Sequence, residues 1–148
     1  MIVESKEWDI RITTEMIDFY NKIKREEGAY FYKLTLNNSK KIIELLCDAY
    51  MISYPESIVV NVPFLRKNNC CGCYFSCRSE IYLYPRTHIL TPIHEFYHHL
   101  EIMSGCKYDS SDEKNYSSLF SHKLYDELRT QVYGKKFKKN SKFISMIV

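Results

Sequence analysis

Residues 94–98 read His94-Glu95-Phe96-Tyr97-His98, an HExxH pattern. On a helix, two histidines four residues apart stand on one face, one turn from each other. Two imidazoles so placed can bind one Zn²⁺, and the neighbouring Glu95 can act as general base on a water held by the metal. The surrounding residues supply the helix. Thr91 is a suitable N-cap and Pro92 suits the first helical position, while Gly105 offers a stop. On that helix His94, His98 and Ile102 share one sector, and Ile93, Phe96, Leu100 and Met103 fill another that faces the core. The histidines are therefore not simply part of the apolar stripe. The plain alternative is two ordinary helix histidines, one near the cap and one exposed.

A catalytic zinc usually has three protein ligands and a water. The downstream candidates are Glu101, Asp109, Asp112, Glu113, Asp126, Glu127 and His122. A last helix, expected over about residues 117–136, separates them by phase. Phe120, Leu124, Leu128 and Gln131 lie within about 100° of Glu127, with Val132 a little beyond. Asp126 and His122 point roughly the other way, beside Arg129. A carboxylate on a buried face is costly unless paired or metal-bound. Glu127 is thus the expected third ligand; a buried Glu held by Arg or Tyr is the alternative.

The chain has 148 residues, 45% hydrophobic and 15% aromatic, with a net charge of +3. That length suits one domain over 1–148, and the composition excludes a disordered or collagen-like chain. No apolar run reaches the ~20 residues of a membrane span. The start lacks the basic-then-apolar layout of a signal peptide, so a soluble cytoplasmic protein is expected. The small net charge and the solvated lysine run at 135–139 argue against nucleic acid as the main partner.

Three further segments frame the motif. Residues 1–56 read as helical: Thr13 and Thr14 can cap a helix ending at Gly28, and Ser39 a second that Pro55 stops. Strands are expected at 57–62, 74–77 and 80–84, with a turn between 68 and 72. Residues 57–137 then carry the sheet and metal site, and 138–148 form a tail, polar and then apolar. Helices grouped around a few strands make the class α+β.

Four of the six cysteines, Cys70, Cys71, Cys73 and Cys77, fall within eight residues. With no second CxxC, disulfides, free thiols and a metal site all stay open. A bridge within this segment, or to Cys47 or Cys106, is the leading expectation.

HExxH with a downstream helical Glu resembles the gluzincin metallopeptidases, and the compact size is similar to the minigluzincins. Residue by residue, His94 and His98 match the zinc ligands, Glu95 the general base and Glu127 the glutamate ligand. Residues 125–133 resemble the glutamate helix of such families, with Thr130 where a small residue is usual. The resemblance covers about residues 58–137 and does not include the cysteines. It implies a compact zincin-like fold, with a small β-sheet packed on the active-site helix. It also implies a zinc-dependent peptidase acting on a peptide or protein. Ile81, Tyr82, Leu83 and Tyr84 would be a substrate-binding edge strand. His122, Tyr116 and Tyr133 are candidates for stabilising an oxyanion. His99 is expected in a supporting position or at the surface, and His88 stays unassigned. The alternative is a zinc-binding interaction module that keeps the fold without turnover.

Overall fold

The computed structural model describes residues 8–27, 33–106 and 116–147. Helix α1, Thr14–Glu27, opens as expected: the Thr13 hydroxyl accepts from the Met16 N–H at 3.2 Å. Met16, Tyr20 and Ile23 recur at helical spacing and are buried. Gly28, the expected stop, lies outside the described residues. Helix α2, Leu36–Tyr50, is capped by Thr35 rather than Ser39. The Thr35 hydroxyl accepts from the Asn38 N–H at 3.2 Å, and Ser39 is buried within the helix. The two capping residues are chemically alike; Thr35 ends a short strand, β1, Leu34–Thr35, and its extended backbone is the one an N-cap needs.

Strand β2, Ser57–Val60, stops two residues before the expected end. Asn61 accepts from the Phe64 N–H at 3.2 Å and starts a short helix, α3, Val62–Lys67. Strand β3 is Gly72–Phe75 and β4 is Glu80–Leu83. A turn over residues 76–79, with Ser79 at φ 48°, joins them. Strand β5, Arg86–Thr87, pairs antiparallel with β1; both are too short for alternation to reveal.

The three-stranded sheet has the order β2-β4-β3, parallel between β2 and β4 and antiparallel between β3 and β4. This corrects the expected edge strand. Ile81, Tyr82 and Leu83 lie in the inner strand, bonded on both sides, and Tyr84 lies just past its end. The physical sign was present: Ile81, Tyr82 and Leu83 are consecutively apolar and all buried, as in a strand covered on both faces. The sheet edges are β2 and β3.

Helix α4, Leu90–Met103, carries the motif. It begins before Thr91, from Ile89, with no side-chain cap from that residue. Instead the Leu90 N–H donates to His88 Nδ1 at 3.1 Å. Pro92 still falls in the first turn, where its missing N–H costs nothing. Gly105, at φ 75°, follows the helix end as expected. Met103, expected in the core, is exposed. Helix α5, Tyr116–Ile147, runs on through most of the segment read as a tail.

Helix α4 packs against α5, α2 and β3. Nine of its fourteen residues are buried, so it is central rather than one-sided. Aromatic contacts lock the neighbours: Tyr97 meets Phe120 of α5 at 5.3 Å between ring centroids, and Phe96 meets Tyr50 of α2 at 5.6 Å. The fold is α+β, with small sheets against helices. Among the described residues no helix is long and apolar enough to cross a membrane.

Candidate functional site

His94 and His98 converge. Their Nε2 atoms are 3.3 Å apart, with the rings at 74°. Two nitrogens each bound 2.0–2.1 Å from a tetrahedral zinc are themselves about 3.3 Å apart. The spacing of the pair therefore fits one metal ion. His98 is buried and His94 half-buried, so the pair opens to one side. His98 Nδ1 is 2.9 Å from the Glu101 carboxylate, which is wholly buried on the same helix.

Glu95 is 6% exposed. Burial pushes its carboxyl up to about 7, with His98 offsetting part of the rise. A carboxyl that titrates near neutrality can both take and return a proton there. It lines a cleft of about 420 Å³ together with His94, Leu90 and Thr91 of α4, the segment Cys70, Cys71 and Gly72, and Ser118, Ser121 and His122 of α5. Gly72 has a local reason. A Cβ there would lie 2.9 Å from Thr91 Cγ2 and 3.1 Å from Glu95 Oε2. Glycine lets β3 start this close to the base without displacing Thr91 or Glu95.

Glu127 is not where phase analysis put it. It is half-buried, and its Oε1 accepts from the Gln131 side chain at 2.9 Å. The buried stripe of α5 runs through Ser117, Phe120, Ser121, Leu124 and Leu128. Ser117 and Ser121 move that stripe away from Glu127, and a count of apolar residues alone omits them. The α5 residues that do reach the cleft are Ser118, Ser121 and His122. Among the described residues, no group of three His, Cys, Asp or Glu side chains is placed to hold a metal. The pair His94 and His98 is brought together; of the expected ligands His94 lines the cleft, and neither His98 nor Glu127 is among its lining residues. Asp126 is paired with Arg129. Asp109, Asp112 and Glu113 lie outside the described residues.

Of the oxyanion candidates, His122 lines the cleft. Tyr116 packs against the core, and the Tyr133 ring lies 3.9 Å from the Lys24 ammonium. His99 is fully buried rather than surface-placed. Its Nδ1 is 3.0 Å from the Tyr74 hydroxyl and its Nε2 is 2.7 Å from the Ser53 carbonyl. Burial lowers its pKa, partly offset by the hydrogen bond to the Ser53 carbonyl.

All six cysteines are free thiols, so the expected bridge is not formed. Cys47 and Cys106 are buried, whereas Cys71 and Cys77 are exposed. Cys73 is half-buried; burial raises its thiol pKa, and the charges of Glu95 and Cys70 raise it further. The cysteine segment thus frames the cleft instead of stapling the sheet.

Sequence reading missed Glu101 as a partner of His98, although its i+3 spacing was visible. It also missed Ser118 and Ser121, whose i and i+3 spacing with His122 at i+4 marks one face of α5. Compared with protein-family models, curated proteins and solved structures, the chain has no match.

Proposed function

We propose that this chain is a zinc-dependent peptidase, with His94 and His98 as ligands and Glu95 as general base. The observation that supports it most is the 3.3 Å approach of the two Nε2 atoms, with His94 and the buried Glu95 carboxyl lining one cleft. Glu127 enters as the third ligand on the gluzincin resemblance, not on its position. A bound zinc would polarise the scissile carbonyl and acidify a water. Glu95 would take the proton from the attacking water and deliver it to the leaving amine. His122, on the same cleft, is the group we assign to the developing charge on the carbonyl oxygen. The peptide would lie along β3, the sheet edge whose first residue lines the cleft, adding its own hydrogen bonds.

The test is metal analysis together with cleavage of a peptide library by wild type and Glu95→Gln. Wild type should carry zinc and cleave. Glu95→Gln should keep zinc and lose ~10²–10⁴-fold in rate. Zinc without cleavage in either protein would favour a non-catalytic zinc module. Absence of zinc binding would end the proposal.

A further inference from the structure

We infer that Glu101 is a positioning residue: its carboxylate sets the tautomer of His98 and so readies the His94–His98 pair for a metal. This deepens the zinc reading and rests on it.

Glu101 Oε1 lies 2.9 Å from His98 Nδ1, and Glu101 has no exposed surface. With a carboxylate as acceptor, Nδ1 is the nitrogen we assign the hydrogen. A neutral imidazole has one N–H, so Nε2 is then its acceptor nitrogen. That Nε2 is the atom 3.3 Å from His94 Nε2. Metal ligation needs this arrangement: a bare nitrogen at the ion, and the other nitrogen donating to a carboxylate that raises its basicity.

The next residue on the helix shows the contrast. His99 spends both nitrogens on the protein, Nε2 at 2.7 Å from the Ser53 carbonyl and Nδ1 at 3.0 Å from the Tyr74 hydroxyl. A carbonyl only accepts, so Nε2 of His99 carries the hydrogen and Nδ1 accepts from the tyrosine. Adjacent histidines thus hold opposite tautomers, His99 turned to the fold and His98 turned to His94. A carboxylate with no exposure is also an expensive way to fill space, where Leu would cost nothing in desolvation. Orienting His98 gives that carboxylate a purpose.

The experiment uses the full chain as wild type, Glu101→Gln and Glu101→Leu. Histidine ¹⁵N shifts of the metal-free protein at pH 8 report the tautomer, and competition with a chromogenic chelator reports Zn²⁺ affinity. Wild-type His98 should carry its hydrogen on Nδ1. Glu101→Leu should lose that preference and bind Zn²⁺ about 10–100-fold more weakly. Glu101→Gln keeps an acceptor oxygen and should restore the tautomer and part of the affinity. A wild-type His98 protonated on Nε2 overturns the inference. So does a folded Glu101→Leu that binds Zn²⁺ like wild type. If Glu101→Leu does not fold, the wild-type tautomer decides. If wild type binds no Zn²⁺, the peptidase reading falls, and the tautomer still tests Glu101 separately.

Discussion

Gly72 lies so close to Glu95 that a single added methyl would sit 3.1 Å from the carboxylate Oε2. The strand that borders the cleft and the helix that carries the base are therefore fitted to each other at one glycine. Gly72→Ala must shift the Thr91 side chain, whose Cγ2 would lie 2.9 Å from the new methyl, or β3 itself, while Glu95 Oε2 at 3.1 Å would have to give slightly. Overpacking of this kind costs about 1–3 kcal/mol. We expect a lower melting temperature and, in a peptide cleavage assay, a lower kcat. A Gly72→Ala protein with both values unchanged would show that the contact is slack.

The start of α4 should be sensitive to acid. His88 Nδ1 accepts the Leu90 N–H at 3.1 Å, and its ring meets Tyr125 at 5.7 Å between centroids. Burial lowers the pKa of His88, with the charges of His122 and Arg129 adding to the effect. The folded pKa is therefore below the unfolded value of about 6.5. The unfolded chain binds more protons in the acid range, so stability falls as pH drops below about 6.5. His88→Asn keeps an acceptor for Leu90 and cannot titrate. Melting curves between pH 5 and 8 should show wild type losing stability relative to His88→Asn on the acid side. Parallel curves would exclude His88 as the sensor.

The third ligand separates family resemblance from cleft geometry. Zinc affinity should be compared across Glu127→Ala, Asp126→Ala and His122→Ala at one pH. If Glu127 completes the site, its removal weakens zinc strongly while the other two variants bind nearly as wild type. His122 lines the cleft with His94, and Glu127 does not. Loss of metal from His122→Ala with retention by Glu127→Ala would therefore replace Glu127 with His122.

Thiol counting tests the cysteine segment. Six titratable thiols are expected from freshly purified protein, denatured without reductant. Cys71 and Cys77, being exposed, should react first in the folded protein, and buried Cys47 and Cys106 last. A count of four or two would mean that bridges form.

The local signals in this chain fixed much of the plan by themselves. HExxH spacing is a property of the helical repeat, so His94 and His98 had to share a face once residues 90–103 formed a helix. Thr13 and Gly105 mark helix ends through local hydrogen bonding and backbone freedom, which neighbouring residues decide. Runs such as residues 80–83 declare a strand through their β-rich composition.

Position across the fold is a different matter. Whether β4 lies inside or at the edge depends on which strands flank it, and β2 reaches it only by pairing across more than twenty residues. The face of α5 that meets α4 is set by close packing, which admits Ser117 and Ser121 as readily as leucine. A wheel weighted by apolarity does not count them, and it turned Glu127 inward. The burial of Glu101 and the close approach of Gly72 are decided in three dimensions. The i+3 spacing already sets Glu101 beside His98, but its complete burial, and the contact of Gly72 with Glu95, come only once α4 is enclosed by α2, α5 and β3. Tertiary packing decides these placements because burial depends on what covers a residue, and the covering elements come from distant parts of the chain.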